Sequence, residues 1–206
     1  RLHSKMPELP QLQDVIRRGA DSVGRRAHDE ALLLLIVREA MVHLERDGLV
    51  QRRSYSGFSV IALNARSITE IFELRFAVET FAAELFVERA SDQEVAALQD
   101  AMGRIEKHFG GDSFKEIWAA KKVYYDVLFA GCRNEEIRRA LLNVTDKVFL
   151  MRNQLLSDAG RRMNSLDEMH ALTAAIVQRD PRKVRLASQA HIRSARDALL
   201  DRFAEE

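Results

Sequence analysis

After residue 64 the chain repeats one kind of signal: a polar box that can start a helix, followed by an apolar stripe of helical period. "SITE" (Ser67 to Glu70), "SDQE" (Ser91 to Glu94) and "SLDE" (Ser165 to Glu168) each place a serine three residues before a glutamate. In that arrangement the hydroxyl and the carboxylate satisfy each other's orphaned backbone N–H groups, which favours a helix start. Asn134 is another candidate cap, and Asp180-Pro181 puts a good N-cap before a proline at the first helical position. Ile68, Ile71, Leu74, Val78, Phe81 and Leu85 form one stripe, and Val95, Leu98, Met102 and Ile105 a second that stops at Gly110-Gly111. A further helix is expected from about Ser113 to Gly131, and another behind Asn134 carrying Ile137, Leu141, Val148 and Leu155. No strand pattern or internal repeat follows Ala62. The spacing predicts an all-α bundle over residues 66–206.

Composition agrees. Three prolines and nine glycines are few interruptions for 206 residues, and 47% hydrophobic with 31% charged residues is an ordinary globular balance. The single cysteine, Cys132, has no internal disulfide partner, which points to a reducing, cytoplasmic setting. The longest apolar run, Ala31 to Val37, is too short to span a bilayer, so no membrane partner is expected. The net charge of +1 is unevenly spread: residues 1–66 carry 11 Lys+Arg against 8 Asp+Glu. That surplus permits nucleic-acid binding by the N-terminal part.

The stretch "VREAMVHLERDGLVQRRSYSGFSV" (Val37 to Val60) changes period midway. Val37, Ala40, Met41 and Leu44 mark a helix face, Gly48 a left-handed stop, and the residues to Ala62 a small basic hairpin turning through Ser54-Tyr55-Ser56-Gly57. A helix followed at once by a basic two-stranded wing is the arrangement of winged helix-turn-helix DNA binders. There Arg38 would contact the groove, Arg52 and Arg53 phosphates, and Gly57 would let the wing tip turn tightly.

The letters carry more than the period. The same stretch resembles the end of the winged helix domain of the GntR family of bacterial transcription regulators, with its V-R-E-A-L and L-E-x-x-G-L-V pattern. "ITEIFELRFAVETFAAELF", with Arg75 and Glu79 in an R-x-x-x-E pattern, resembles the first helix of the FCD effector domain of the FadR subfamily. "YYDVLFAGCRNEEI" and "MHALTAAIVQRDPRKVRLASQAHI" resemble its later elements. The resemblance implies a winged helix-turn-helix domain over residues 1–65 and a helical effector and dimerisation domain over residues 66–206. It implies a homodimer that binds operator DNA and responds to a small metabolite, often a carboxylic acid, as a repressor. A helical sensing or oligomerisation module with a vestigial DNA-binding half is the alternative. No glycine-rich phosphate loop, H-E-x-x-H or G-x-S-x-G is present, so no enzyme activity is expected.

Two departures from the family pattern matter. Where family members carry S-R-T-P before V-R-E-A, this chain has Leu33, Leu34, Leu35 and Ile36, which cannot hydrogen-bond phosphates or base edges. Many FCD domains also hold a divalent cation; here its positions fall on Lys121, Tyr125, Met169 (with His170 one residue out of register) and His191. A lysine ammonium repels a dication, so neither metal nor cofactor is expected. In the family, the face bearing Lys121 and Tyr125 looks into the effector cavity. Lys121 would then supply the positive charge a metal supplies elsewhere, Tyr125 a hydroxyl and His191 a ring N–H. Arg75 and Arg152 would be further carboxylate partners.

Overall fold

The computed structural model describes residues 32–53, 57–61, 64–109, 111, 113–151 and 159–204. The chain divides into two units, Arg1–Ile61 and Ala62–Glu206. Expectations for residues 1–31, for the wing tip at 54–56 and for Arg152 and Leu155 fall outside the described residues.

In the first unit residues 32–46 are helical (α1). The helix stops where expected. Gly48 takes φ 70°, and the Leu49 N–H reaches back to the Leu44 carbonyl at 2.9 Å, closing the end with a left-handed residue that a side chain would strain. Strands β1 (Val50–Arg53) and β2 (Gly57–Val60) follow as an antiparallel pair, with Val50 opposite Val60 and Arg53 opposite Gly57. The apolar side chains of α1 stay at the surface: Val37 is 51% exposed, and Leu33 to Ile36 lie between 55% and 70%.

The described elements of the second unit are all helices: α2 (Ala65–Arg89), α3 (Asp92–Phe109), α4 (Phe114–Gly131), α5 (Glu135–Leu150), α6 (Ala159–Val177) and α7 (Pro181–Ala204). α2 lies along α7 and also meets α4 and α5; α6 packs between α3 and α7. Several starts follow the capping chemistry. Ser91 and Glu94 exchange bonds of 2.7 and 3.3 Å, Asn134 Oδ1 accepts from the N–H groups of Glu136 and Ile137, and Asp180 accepts from those of Arg182 and Lys183. Among the described residues no helix is long and apolar enough to cross a membrane.

Two boxes act differently. α2 begins earlier than "SITE" suggests: Asn64 is the N-cap, and Ser67, its N3 residue, completes the box with bonds of 2.8 and 2.9 Å. "SLDE" starts nothing. Ser165 and Glu168 lie inside α6, both turned toward α4 and α7, where their side chains find tertiary partners.

The buried face of α2 also differs from the expected stripe. Leu74 and Phe81 are 47% and 50% exposed, while Ile68, Phe72, Arg75, Glu79, Ala82 and Phe86 are buried. The true stripe has helical period but runs through two charged residues. Arg75 and Glu79 can occupy it because they neutralise each other one turn apart, Nη2 to Oε1 at 3.2 Å.

Candidate effector site

Between the helices of the second unit lies a cavity of about 40 Å³, lined by polar side chains from α2, α4, α6 and α7 and by apolar ones including Trp118, Val148 and Ala195. Most of its polar wall is one connected chain of hydrogen bonds, with Lys121 and Ser165 as a separate pair beside it. The Arg75 guanidinium holds Glu79 and donates to the Tyr125 hydroxyl at 2.9 Å. Tyr125 Oη stands 3.2 Å from His191 Nε2, and His191 Nδ1 stands 2.7 Å from Glu168. Arg161 grips the same carboxylate with both terminal nitrogens, each at 3.0 Å. Lys121 Nζ donates to Ser165 Oγ at 2.8 Å and sits 5.5 Å from the centre of the Phe109 ring.

These bonds fix the protons. Glu168, as a carboxylate, can only accept, so Nδ1 of His191 carries the hydrogen and Nε2 accepts from Tyr125. Burial, with the charges of Lys121 and Arg75, depresses the His191 pKa to about 4 against the opposing pull of Glu168. The ring is therefore neutral at pH 7. Burial alone would raise the Glu168 carboxyl, but hydrogen bonds from His191 and Arg161 outweigh it and hold the group at about 2. Burial, then Glu79, pushes the Tyr125 hydroxyl well above its ordinary value, so it stays protonated. Burial, then the neighbouring Arg75 and Arg161, brings the Lys121 ammonium down to about 7.

Of the residues singled out for the effector, Arg75, Lys121, Tyr125 and His191 line this one cavity. Lys121 is buried, 7% exposed. His191 is placed differently from the expected donor, because its ring N–H is used by Glu168. Ser165, Glu168 and Arg161 were not singled out. Ser165 and Glu168 were visible only as a helix-start box, and their inward direction depends on where α6 begins. The DNA-facing candidates lie in the other unit. Arg38, Arg52 and Arg53 are exposed, Arg52 pairing with Glu45 at 3.3 Å and lying over the Phe58 ring, and Gly57 takes φ 81° at the start of β2.

The donor set does not fit a divalent cation. Of the positions that the family resemblance assigns to one, Lys121 carries an amine already donating to Ser165, Tyr125 a hydroxyl that stays protonated, Met169 is fully buried, and His191 Nε2 is occupied by Tyr125. His170 is exposed on the outside of α6. Among the described residues no group of three or more His, Cys, Asp or Glu side chains could hold a metal ion.

The second unit is a helical bundle with a small charged cavity, and the first unit, taken by itself, carries a basic hairpin. The FCD domain family matches residues 70–194, and the chain belongs to that family. It is 28% identical over 149 residues to the uncharacterized HTH-type transcriptional regulator YdhC of Bacillus subtilis, covering 69% of this chain and 66% of that one. It is 25% identical over 166 residues to the Nta operon transcriptional regulator of Aminobacter aminovorans, covering 80% and 77%. Among solved structures, McbR/YncC of E. coli superposes with a TM-score of 0.68 at 20% identity, over 80% of this chain and 83% of that one. A putative GntR regulator from Rhodococcus gives 0.66 at 18%, over 80% and 79%.

Proposed function

We propose that the chain is a ligand-responsive transcription regulator of the GntR type whose effector is a small monoanion, a carboxylate, bound in the cavity without a metal ion. The observation that carries this is the charge balance of the wall. Among the described residues Arg75 holds Glu79, Arg161 holds Glu168 and His191 is neutral, so Lys121, in its protonated form, adds a positive charge whose hydrogen-bond partner is the uncharged Ser165. A buried surplus charge is costly, and an anionic guest relieves that cost. Each of the two carboxylates is already held by an arginine, which leaves Lys121 as the group that turns to the guest.

Around that site the reading follows the relatives. The chain acts in the cytoplasm as a homodimer, its exposed Arg52 and Arg53 contact operator phosphates, and effector binding relieves repression. Exposed Leu33 to Ile36 stand where regulators of this type carry DNA contacts, so the second reading, a sensing module that has lost operator binding, has an observation of its own. Mobility shift with the upstream DNA separates the two.

Thermal denaturation with a panel of small monocarboxylates tests the site. At roughly a hundredfold excess over Kd, a bound anion should stabilise the wild-type chain by about 2.7 kcal/mol. Lys121→Met should melt cooperatively and lose that response. No shift with any carboxylate, or a full shift in Lys121→Met, overturns the assignment.

A further inference from the structure

Lys121 has the surroundings of a nucleophile. Its Nζ lies on the cavity wall, and its hydrogen-bond partner is the neutral hydroxyl of Ser165. The charged groups around it are Arg75 and Glu79 from α2, Arg161 and Glu168 from α6, while His191 from α7 is neutral. α3 contributes the Phe109 ring, and α5 the uncharged Thr145 and Val148. Both carboxylates are engaged by guanidinium groups, so the amine is enclosed, cation-flanked and without an ion-pair partner among the described residues. An amine so placed is part free base near neutral pH, which is the form that attacks carbonyl carbon.

We infer that Lys121 captures an α-oxo carboxylate as a reversible imine, so that the effector is held covalently while bound. This rests on the reading of the cavity as the effector site and adds the chemical class of the guest. The Nζ lone pair forms a bond to the carbonyl carbon, and the carbonyl π pair moves to its oxygen. A proton passes from nitrogen to that oxygen, with the Ser165 hydroxyl in place to relay it. The hydroxyl takes up from water the proton that the ammonium released there on becoming the free amine, and it leaves as water while the nitrogen lone pair forms the C=N bond. In sum, one ammonium and one ketone give one iminium and one water, with no oxidant or reductant. The iminium keeps the charge of the ammonium, so the match between the cavity and the guest carboxylate is preserved. The cavity, about 40 Å³, restricts the guest to a small molecule.

The test uses the full chain, pyruvate as the carbonyl probe and lactate as the same anion without the carbonyl. After incubation with pyruvate and sodium cyanoborohydride, peptide mass spectrometry should find a single reduced adduct on Lys121, well ahead of the exposed Lys122 and Lys183, and lactate should suppress it. Absence of adduct on Lys121, or adducts spread over exposed lysines, overturns the imine. Melting curves separate the two failures. If pyruvate and lactate stabilise the chain equally with no adduct, the imine falls and the anion site stands. If neither stabilises it and no adduct forms, both fall.

Discussion

Glu168 on α6 accepts a 2.7 Å hydrogen bond from Nδ1 of His191 on α7. That single contact sets the tautomer of a buried imidazole, and through Nε2 the direction of the Tyr125 hydroxyl, so it organises the wall facing Lys121. It also couples the fold to pH. The imidazole titrates near 4 in the folded chain against 6.5 when free, so between those values the unfolded chain binds the extra proton. Stability should fall as pH drops from 6.5 to 4. The Glu168 carboxylate, at about 2 against 4.5, adds stability that is full above 4.5 and lost toward 2. Melting temperatures across this range should show both losses. His191→Gln should flatten the upper one and keep a loss below 4.5; an unchanged upper slope would show that other groups carry it.

Arg75 and Glu79 are a buried pair, 7% and 2% exposed. Removing one partner strands the other's charge, so Arg75→Met or Glu79→Leu alone should cost about 3–5 kcal/mol in urea denaturation. The double variant should cost much less than the sum, with a coupling of at least about 1 kcal/mol. Additive losses would mean that the pair contributes no mutual stabilisation.

Gly131 closes α4 against the ring of Phe86. A methyl group there would fall 2.5 Å from Cδ2 of Phe86, a side chain with no exposure. Gly131→Ala should therefore lower stability by about 1–3 kcal/mol despite the better helix propensity of alanine. An unchanged urea midpoint would mean the ring moves aside freely.

The wing makes a prediction about salt. Each phosphate contact releases counterions, so Arg52→Ala with Arg53→Ala should weaken DNA binding across sequences and lower the slope of log affinity on log salt by about two. Arg38→Ala should instead reduce discrimination between operator and unrelated DNA. Equal affinity and slope in the double variant would remove the wing from the interface.

The helical character of the described residues after Asn64 and several helix starts were legible locally. A capping residue acts on backbone groups two or three positions away, so Ser91, Asn134 and Asp180 could be read from neighbouring letters alone. The stop at Gly48 was legible for the same reason. Lys121 and Tyr125 could be placed on one face because they are four residues apart on one helix. Placing Arg75 and His191 beside them drew on a family resemblance.

The tertiary structure decided everything that depends on distance along the chain. "SLDE" reads as a helix start, yet its serine and glutamate face inward because Lys121 and His191 arrive from other helices, 44 and 23 residues away in sequence. A hydrophobic pattern on α2 favours Leu74 and Phe81, but Arg75 and Glu79 take the buried face because they pair with each other and Arg75 also meets Tyr125, 50 residues on. A local pattern records which side chains prefer water. It does not record which charged groups will find partners once the helices pack, and those partners set both the burial and the protonation of this site.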